Sequence, residues 1–190
     1  MCRLFLWNQE DGSKIVQKIM GEIRRKSPEK IIPQIARPTD EIPYLQASEF
    51  GKTTASLGHW GFQTNQGKLI YNARQETVLS KGLFQSCFGR NRCIVPAHSF
   101  FEWDHEHHCF SFSQAGKGLL YFAALFRKQG GRTEVVVLTT HSRGEIAEVH
   151  HRMPLILKED ELRNWLYDTS VSEQLLSHGE FSLKKGMVED

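Results

Sequence analysis

A chain of 190 residues, 39% hydrophobic and 24% charged, carries enough apolar side chains for one packed core and is cramped for two. The sequence holds no apolar run of transmembrane length, and its N-terminus lacks the apolar stretch and cleavage site of a signal peptide. A cytoplasmic location without a membrane partner is therefore expected. A net charge of +2 neither demands nor forbids a nucleic-acid partner, because a local basic groove suffices.

In chain order, CRLFLW reads as a first strand, and Ser13 then caps an amphipathic helix in which Ile15, Val16, Ile19, Met20 and Ile23 recur at helical spacing. KIIPQIARP and EIPYLQ are short extended pieces broken by Pro33, Pro38 and Pro43, and TTASLGHWGF is a further strand. After NARQETV comes a helix running through about Cys87. Short strands then crowd together in RCIVPAHSFFEWD, HCFSFS, LLYFAALF and TEVVVLTTH, divided by polar turns. GEIAEV makes a helical turn before HHRMPLIL, and KEDELRNWLYD is a late helix with Leu162, Trp165 and Leu166 on one face. The pattern predicts a single α+β domain over residues 1–190, with a curved, barrel-like, mostly antiparallel sheet and peripheral helices.

Cysteines at 2, 87, 93 and 109 show no paired spacing, which argues for reduced thiols. Cys2 is distinctive. Removal of Met1 would leave it with an α-amine and a thiol on neighbouring carbons, a bifunctional nucleophile that no other position can supply. Its alternative reading is a small buried hydrophobe. Glu102 lies between Phe101 and Trp103, so on a strand it faces opposite to both. With those aromatics in the core it points to solvent, the reading favoured when the residue is taken alone. With the aromatics outward, its carboxylate is desolvated and its pKa rises. His150 and His151 precede Arg152 and Pro154 at a strand entry and suit proton transfer or a structural role. Asn72 and Arg74 straddle Ala73 at a strand end, where helix capping and snorkelling are the alternatives to function. His105, His107, His108 and Cys109 lack a four-ligand metal spacing, so a solvated hairpin loop is expected there, with no metal and no cofactor.

Taken together, the N-terminal Met-Cys, NARQET, FFEW and VHHRMP, in this order and at these separations, resemble the SOS response-associated peptidase (SRAP) domain family, from Cys2 to about Trp165. The resemblance implies a compact α+β, barrel-like domain that removes its own Met1 and captures abasic sites in single-stranded DNA. The captured aldehyde would become a thiazolidine on Cys2. Glu102 would then shuttle protons, His150 would hold or protonate the sugar oxygen, and Asn72 would position amine and sugar. Arg74 would meet a flanking phosphate, with Arg3 and Arg152 as further DNA contacts and Arg90 and Arg92 near the same blocks. His150 rather than His151 matches the family's His-x-Arg-x-Pro pattern. A monomer is expected.

The chain departs from the family's usual start, Cys-Gly-Arg-Phe. Here Arg3 and Leu4 follow Cys2, which moves the basic residue by one position and hence to the opposite face of a strand. IARPTDEIP lacks the usual asparagine, and HWGFQTNQGK lacks the Pro and Trp that commonly follow Trp-Gly, which implies altered DNA-structure preference or weaker binding. Two other classes compete. An N-terminal-nucleophile amidohydrolase would need an αββα layered sheet and an oxyanion-hole Asn-Gly pair, a dipeptide this chain does not contain. A non-covalent single-strand-binding domain would act independently of Cys2.

Overall fold

The computed structural model describes residues 2–49, 51–116, 118–177 and 181–188. The chain opens with β1 (Phe5–Leu6), α1 (Lys14–Lys26), β2 (Ile35–Ala36), β3 (Glu41–Ala47), β4 (Thr53–Trp60), β5 (Phe62–Gln63), β6 (Leu69–Ile70) and β7 (Asn72–Arg74). It continues through α2 (Gln75–Val78), α3 (Gly82–Arg90), β8 (Arg92–Ala97), β9 (Ser99–Trp103), β10 (Cys109–Gln114), β11 (Leu120–Gln129) and β12 (Arg132–His141). The last elements are α4 (Glu145–Val149), β13 (Arg152–Pro154), β14 (Ile156–Leu157), a 3-10 turn (Glu159–Glu161), α5 (Leu162–Tyr167), α6 (Thr169–Leu176) and β15 (Leu183–Met187).

β12, β4, β3, β8 and β11 pair in a closed ring, since β12 bonds both β4 and β11. Only the β12–β4 contact in this ring is parallel, so the barrel is mixed but mostly antiparallel. Val135 through Leu138 are all buried without alternation, as expected of a strand covered on both faces. A second, antiparallel sheet, ordered β15-β10-β9-β1-β2, packs against the barrel. Its Phe5 lies 5.0 Å from Trp60 and 6.0 Å from Phe122, and its Phe100 lies 6.0 Å from Phe122, ring centre to ring centre. These aromatic contacts fix which face of β9 is inside.

The helices follow local rules. Ser13 Oγ accepts the Val16 N–H, Asp11 Oδ1 accepts the Ser13 N–H at 2.7 Å, and Val16, Ile19, Met20 and Ile23 form the buried face of α1. Arg24, Arg25 and Lys26 in its last turn complement the helix dipole. The helix expected after NARQETV, through about Cys87, is α3, and a separate short helix, α2, precedes it within NARQETV. The backbone N–H groups of Ser80 and Lys81 both donate to Thr77 O, ending α2, and the chain restarts from an extended Lys81. NAR itself is a strand, since it pairs in parallel with Val137–Thr139 of β12. Gly61, at φ +130, turns the chain from β4 into β5, and a Cβ there would sit 2.5 Å from Leu69 Cδ1.

Candidate active site

Cys2 is fully buried at the head of the second sheet, with its thiol 3.8 Å from Leu4 O. Burial, and then the negative charge of Glu102, push that thiol far above its ordinary pKa, so it is protonated at neutral pH. Asn72, carried by β7, donates from Nδ2 to Cys2 O at 2.7 Å and so joins the barrel to the N-terminal segment.

Glu102 corrects the solvent-facing expectation. It is 3% exposed, while Phe101 and Trp103 are only half-buried on the opposite face. Both aromatic rows of β9 could have served as the core row, and Phe100, packed on Phe112 and Phe122, is the one that does. Glu102, two residues from Phe100, is drawn inward with it. Burial raises its pKa from the ordinary 4.5 to about 7, against the opposing pull of nearby positive charge including Arg3. A carboxyl with that pKa exchanges protons readily at neutral pH.

His150 closes α4, donating its backbone N–H to Ile146 O at 2.8 Å. His150 Nδ1 lies 3.0 Å from both the backbone N–H and the carbonyl oxygen of Arg152, so the Arg152 backbone orients the ring in either tautomer. Partial burial holds its pKa below the ordinary value. His151 stacks on it at 4.5 Å and is exposed.

The arginines divide. Arg3 and Arg74 are exposed. Arg3 lies 5.5 Å over the Trp103 ring, and the two residues line a cleft of about 340 Å³ together with Leu4, Arg37 and Pro38. Sequence reasoning missed Arg37. The signal available was its place in IARP, where the family's asparagine is lacking. Arg152 does not fit the expected DNA-contact role, because its side chain is 5% exposed and both its Nη atoms are bonded inside the protein. Nη1 and Nη2 donate to the Glu76 carboxylate at 2.6 and 3.1 Å, and Nη2 also donates to Thr139 O at 2.6 Å. Arg92 is likewise buried, donating to Trp165 O and Thr169 Oγ1, whereas Arg90 is exposed.

The DHEHHC segment is an exposed hairpin turn, as expected. Asp104 Oδ1 accepts the N–H groups of Glu106 and His108, both at 2.9 Å. Asp104, Glu106 and His108 bring ligand-type atoms within 4.8 Å of one another, but these hydrogen bonds make Asp104 the organiser of the turn. All four cysteines are reduced thiols. Among the described residues no helix is long and apolar enough to cross a membrane.

A family model described as SOS response associated peptidase (SRAP) matches residues 1–185. Similar curated proteins include the abasic site processing proteins YoaM of Bacillus subtilis (strain 168), 29% identical over 62% of this chain and 56% of that protein, and YobE of the same organism, 33% identical over 53% and 50%. The abasic site processing protein HMCES of Xenopus tropicalis is 30% identical over 56% of this chain and 41% of that protein. The chain thus spans about half the length of the curated relatives it matches. Among solved structures, a Bordetella bronchiseptica protein superposes with a TM-score of 0.79 at 18% identity, over 99% of this chain and 100% of that one. A Bacteroides thetaiotaomicron protein gives 0.78 at 17% identity, over 100% and 93%. These two similarities show the fold.

Proposed function

Because the chain belongs to the SOS response associated peptidase family, we propose that it processes abasic sites by capturing them covalently in single-stranded DNA through Cys2, once Met1 is removed. The observation that carries this reading is the joining of Cys2 to Asn72 at 2.7 Å beside a buried Glu102 whose pKa lies near 7. The names of the similar proteins YoaM, YobE and HMCES point to the same substrate.

The protonation states set the order of steps. The thiol is neutral, so the α-amine, with an ordinary pKa of about 7.7–8.0, is the first nucleophile. It adds to the C1′ aldehyde of the ring-opened deoxyribose, and loss of water gives an imine. Glu102 in its acid form protonates the departing oxygen, and its carboxylate form then takes the proton of the Cys2 thiol. Sulfur bonds to the imine carbon, the proton passes to nitrogen, and a five-membered thiazolidine closes. Holding both nucleophiles on one residue gives this closure an effective molarity of ~10⁵ M or more. Asn72 holds the Cys2 carbonyl still through both steps. His150, its ring oriented by the Arg152 backbone, holds or protonates the sugar oxygen. Exposed Arg74, with Arg3 and Arg37 in the cleft beside Trp103, supplies phosphate contacts and a stacking face for neighbouring nucleotides.

The same residues serve the removal of Met1, an autopeptidase step in which the Cys2 thiol gives its proton to Glu102 and attacks the Met1 carbonyl. The Met1–Cys2 C–N bond breaks as the nitrogen takes that proton and leaves as the Cys2 α-amine. Water then hydrolyses the resulting thioester to free methionine and the thiol. The barrel with a sheet packed on one side is not the αββα layering that an N-terminal-nucleophile amidohydrolase needs.

Intact-mass spectrometry tests the reading, with the protein alone and after incubation with a single-stranded oligonucleotide carrying one abasic site. Loss of Met1, with a denaturation-resistant adduct that disappears in Cys2→Ser, is the expected result. A processed protein that binds undamaged and abasic strands alike and forms no adduct would instead be a non-covalent binding domain.

A further inference from the structure

Arg152 lies on β13, and its guanidinium reaches past β12 to α2. It bonds Thr139 O at 2.6 Å and Thr139 Oγ1 at 3.2 Å, and then grips both oxygens of Glu76. Each contact point leads to a residue of the site. Thr139 is the β12 partner of Arg74, and its hydroxyl donates to Ala73 O at 3.4 Å, inside the Asn72–Arg74 strand. Glu76 lies four residues after Asn72, in the helix that this strand runs into. At the other end, the Arg152 backbone N–H and carbonyl oxygen both lie 3.0 Å from His150 Nδ1. One buried side chain therefore spans the segment that carries Asn72 and the segment that carries His150.

Resting on the reading above, we infer that the Arg152–Glu76 pair is a positioning clasp. It holds the Asn72 strand and the His150 ring in register. The pairing is bidentate and so sets orientation as well as distance, which a single lysine ammonium could not do. The Glu76 carboxylate, 36% exposed, also meets the exposed His141 ring at 3.3 Å, so one anion faces a guanidinium and an imidazole at the rim of the barrel. Arg152 is not a phosphate ligand, because none of its bonded donors faces solvent and its anion is already supplied by the protein.

Glu76→Gln separates the two roles. If Arg152 bound phosphate, removing its internal counter-charge would strengthen binding of the strand. A clasp gives the opposite pattern. Affinity for an undamaged single-stranded oligonucleotide stays level, while the adduct-forming rate at saturating abasic DNA falls by about tenfold to a hundredfold, the scale of a small misplacement of reacting groups. Arg152→Lys is expected to lose rate in the same way, and thermal melts identify any variant that fails to fold. ¹⁵N shifts of the His150 ring are expected to move in Glu76→Gln, because Nδ1 rests on the Arg152 backbone. That measurement needs no DNA, so it judges the clasp even if the wild-type protein forms no adduct and the capture reading fails. Tighter DNA binding by Glu76→Gln, an unchanged rate, or unchanged His150 shifts would each overturn the inference.

Discussion

Asn72 Nδ2 donates to the carbonyl of Cys2 at 2.7 Å, across a sequence separation of 70 residues. The bond fixes the backbone of the residue that carries both proposed nucleophiles, so its removal should act on rate more than on stability. Asn72→Ala is expected to slow adduct formation by about tenfold or more, with a stability loss of about 1 kcal/mol. Asn72→Asp should be worse, since it sets an acceptor against an acceptor. Single-turnover rates and urea melts check both, and an Asn72→Ala protein that reacts like wild type would remove Asn72 from the site.

Glu102 yields a pH prediction with a definite sign. Its folded pKa, about 7, lies above the ordinary 4.5, so the native state holds this proton more tightly than the unfolded chain does. The associated stability is fully present below pH 4.5 and is lost as pH rises through about 7. Glu102→Gln lacks this dependence. Its stability relative to wild type should therefore improve between pH 5 and pH 8, by up to about 3 kcal/mol. Denaturant melts at the two pH values measure this, and a difference that stays flat refutes the buried assignment. The adduct-forming rate of wild type should also titrate near neutrality, and that transition should vanish in the glutamine variant.

The cleft beside Trp103 makes a prediction about salt. Arg3→Ala should reduce the slope of log affinity against log salt on single-stranded DNA by about 0.7, the effect of one lost phosphate contact. Trp103→Ala should cost about 1–3 kcal/mol of binding through lost stacking, with little change in slope. Anisotropy titrations at several ionic strengths distinguish these outcomes. An Arg3 variant with an unaltered slope would show that the shifted arginine of this chain serves Trp103 alone.

A stability prediction concerns Glu134, which is 1% exposed and bonded to Arg127 and Arg132. It also accepts the Gln63 N–H at 3.2 Å and so anchors the β5–β6 hairpin that leads to Asn72. Glu134→Ala leaves a largely buried Arg127 without its anion and is expected to destabilise the protein by about 3 kcal/mol. A thermal midpoint within two degrees of wild type would contradict this network.

Much of the local structure was legible in the residues. Ser13 and the spacing of Ile15, Val16, Ile19, Met20 and Ile23 announced α1, although Ile15 stays exposed, and TEVVVLTTH announced a strand whose full burial only the fold shows. The elements α6 and β15 went unread, since TSVSEQLL has a weak apolar period and LKKGM becomes a strand only by pairing with β10. Cys2, Asn72, Glu102 and His150 were picked out by their motif blocks, while Arg37 and Glu76 were not, because each matters only through a partner distant in the chain.

Alternation alone determined that Glu102 faces away from Phe101 and Trp103. It could not determine which face is the core, because β9 has aromatics on both, and the packing of Phe100 onto Phe122 decided it. Arg152 reads by itself as a surface cation, and it becomes an internal clasp only when the barrel brings Glu76 and Thr139 to its guanidinium. Helix caps and periodicities are interactions between near neighbours, so the sequence by itself carried them. The burial that raises the pKa of Glu102 and the ion pair that holds Arg152 depend on residues far along the chain, and only the closed tertiary structure could settle them.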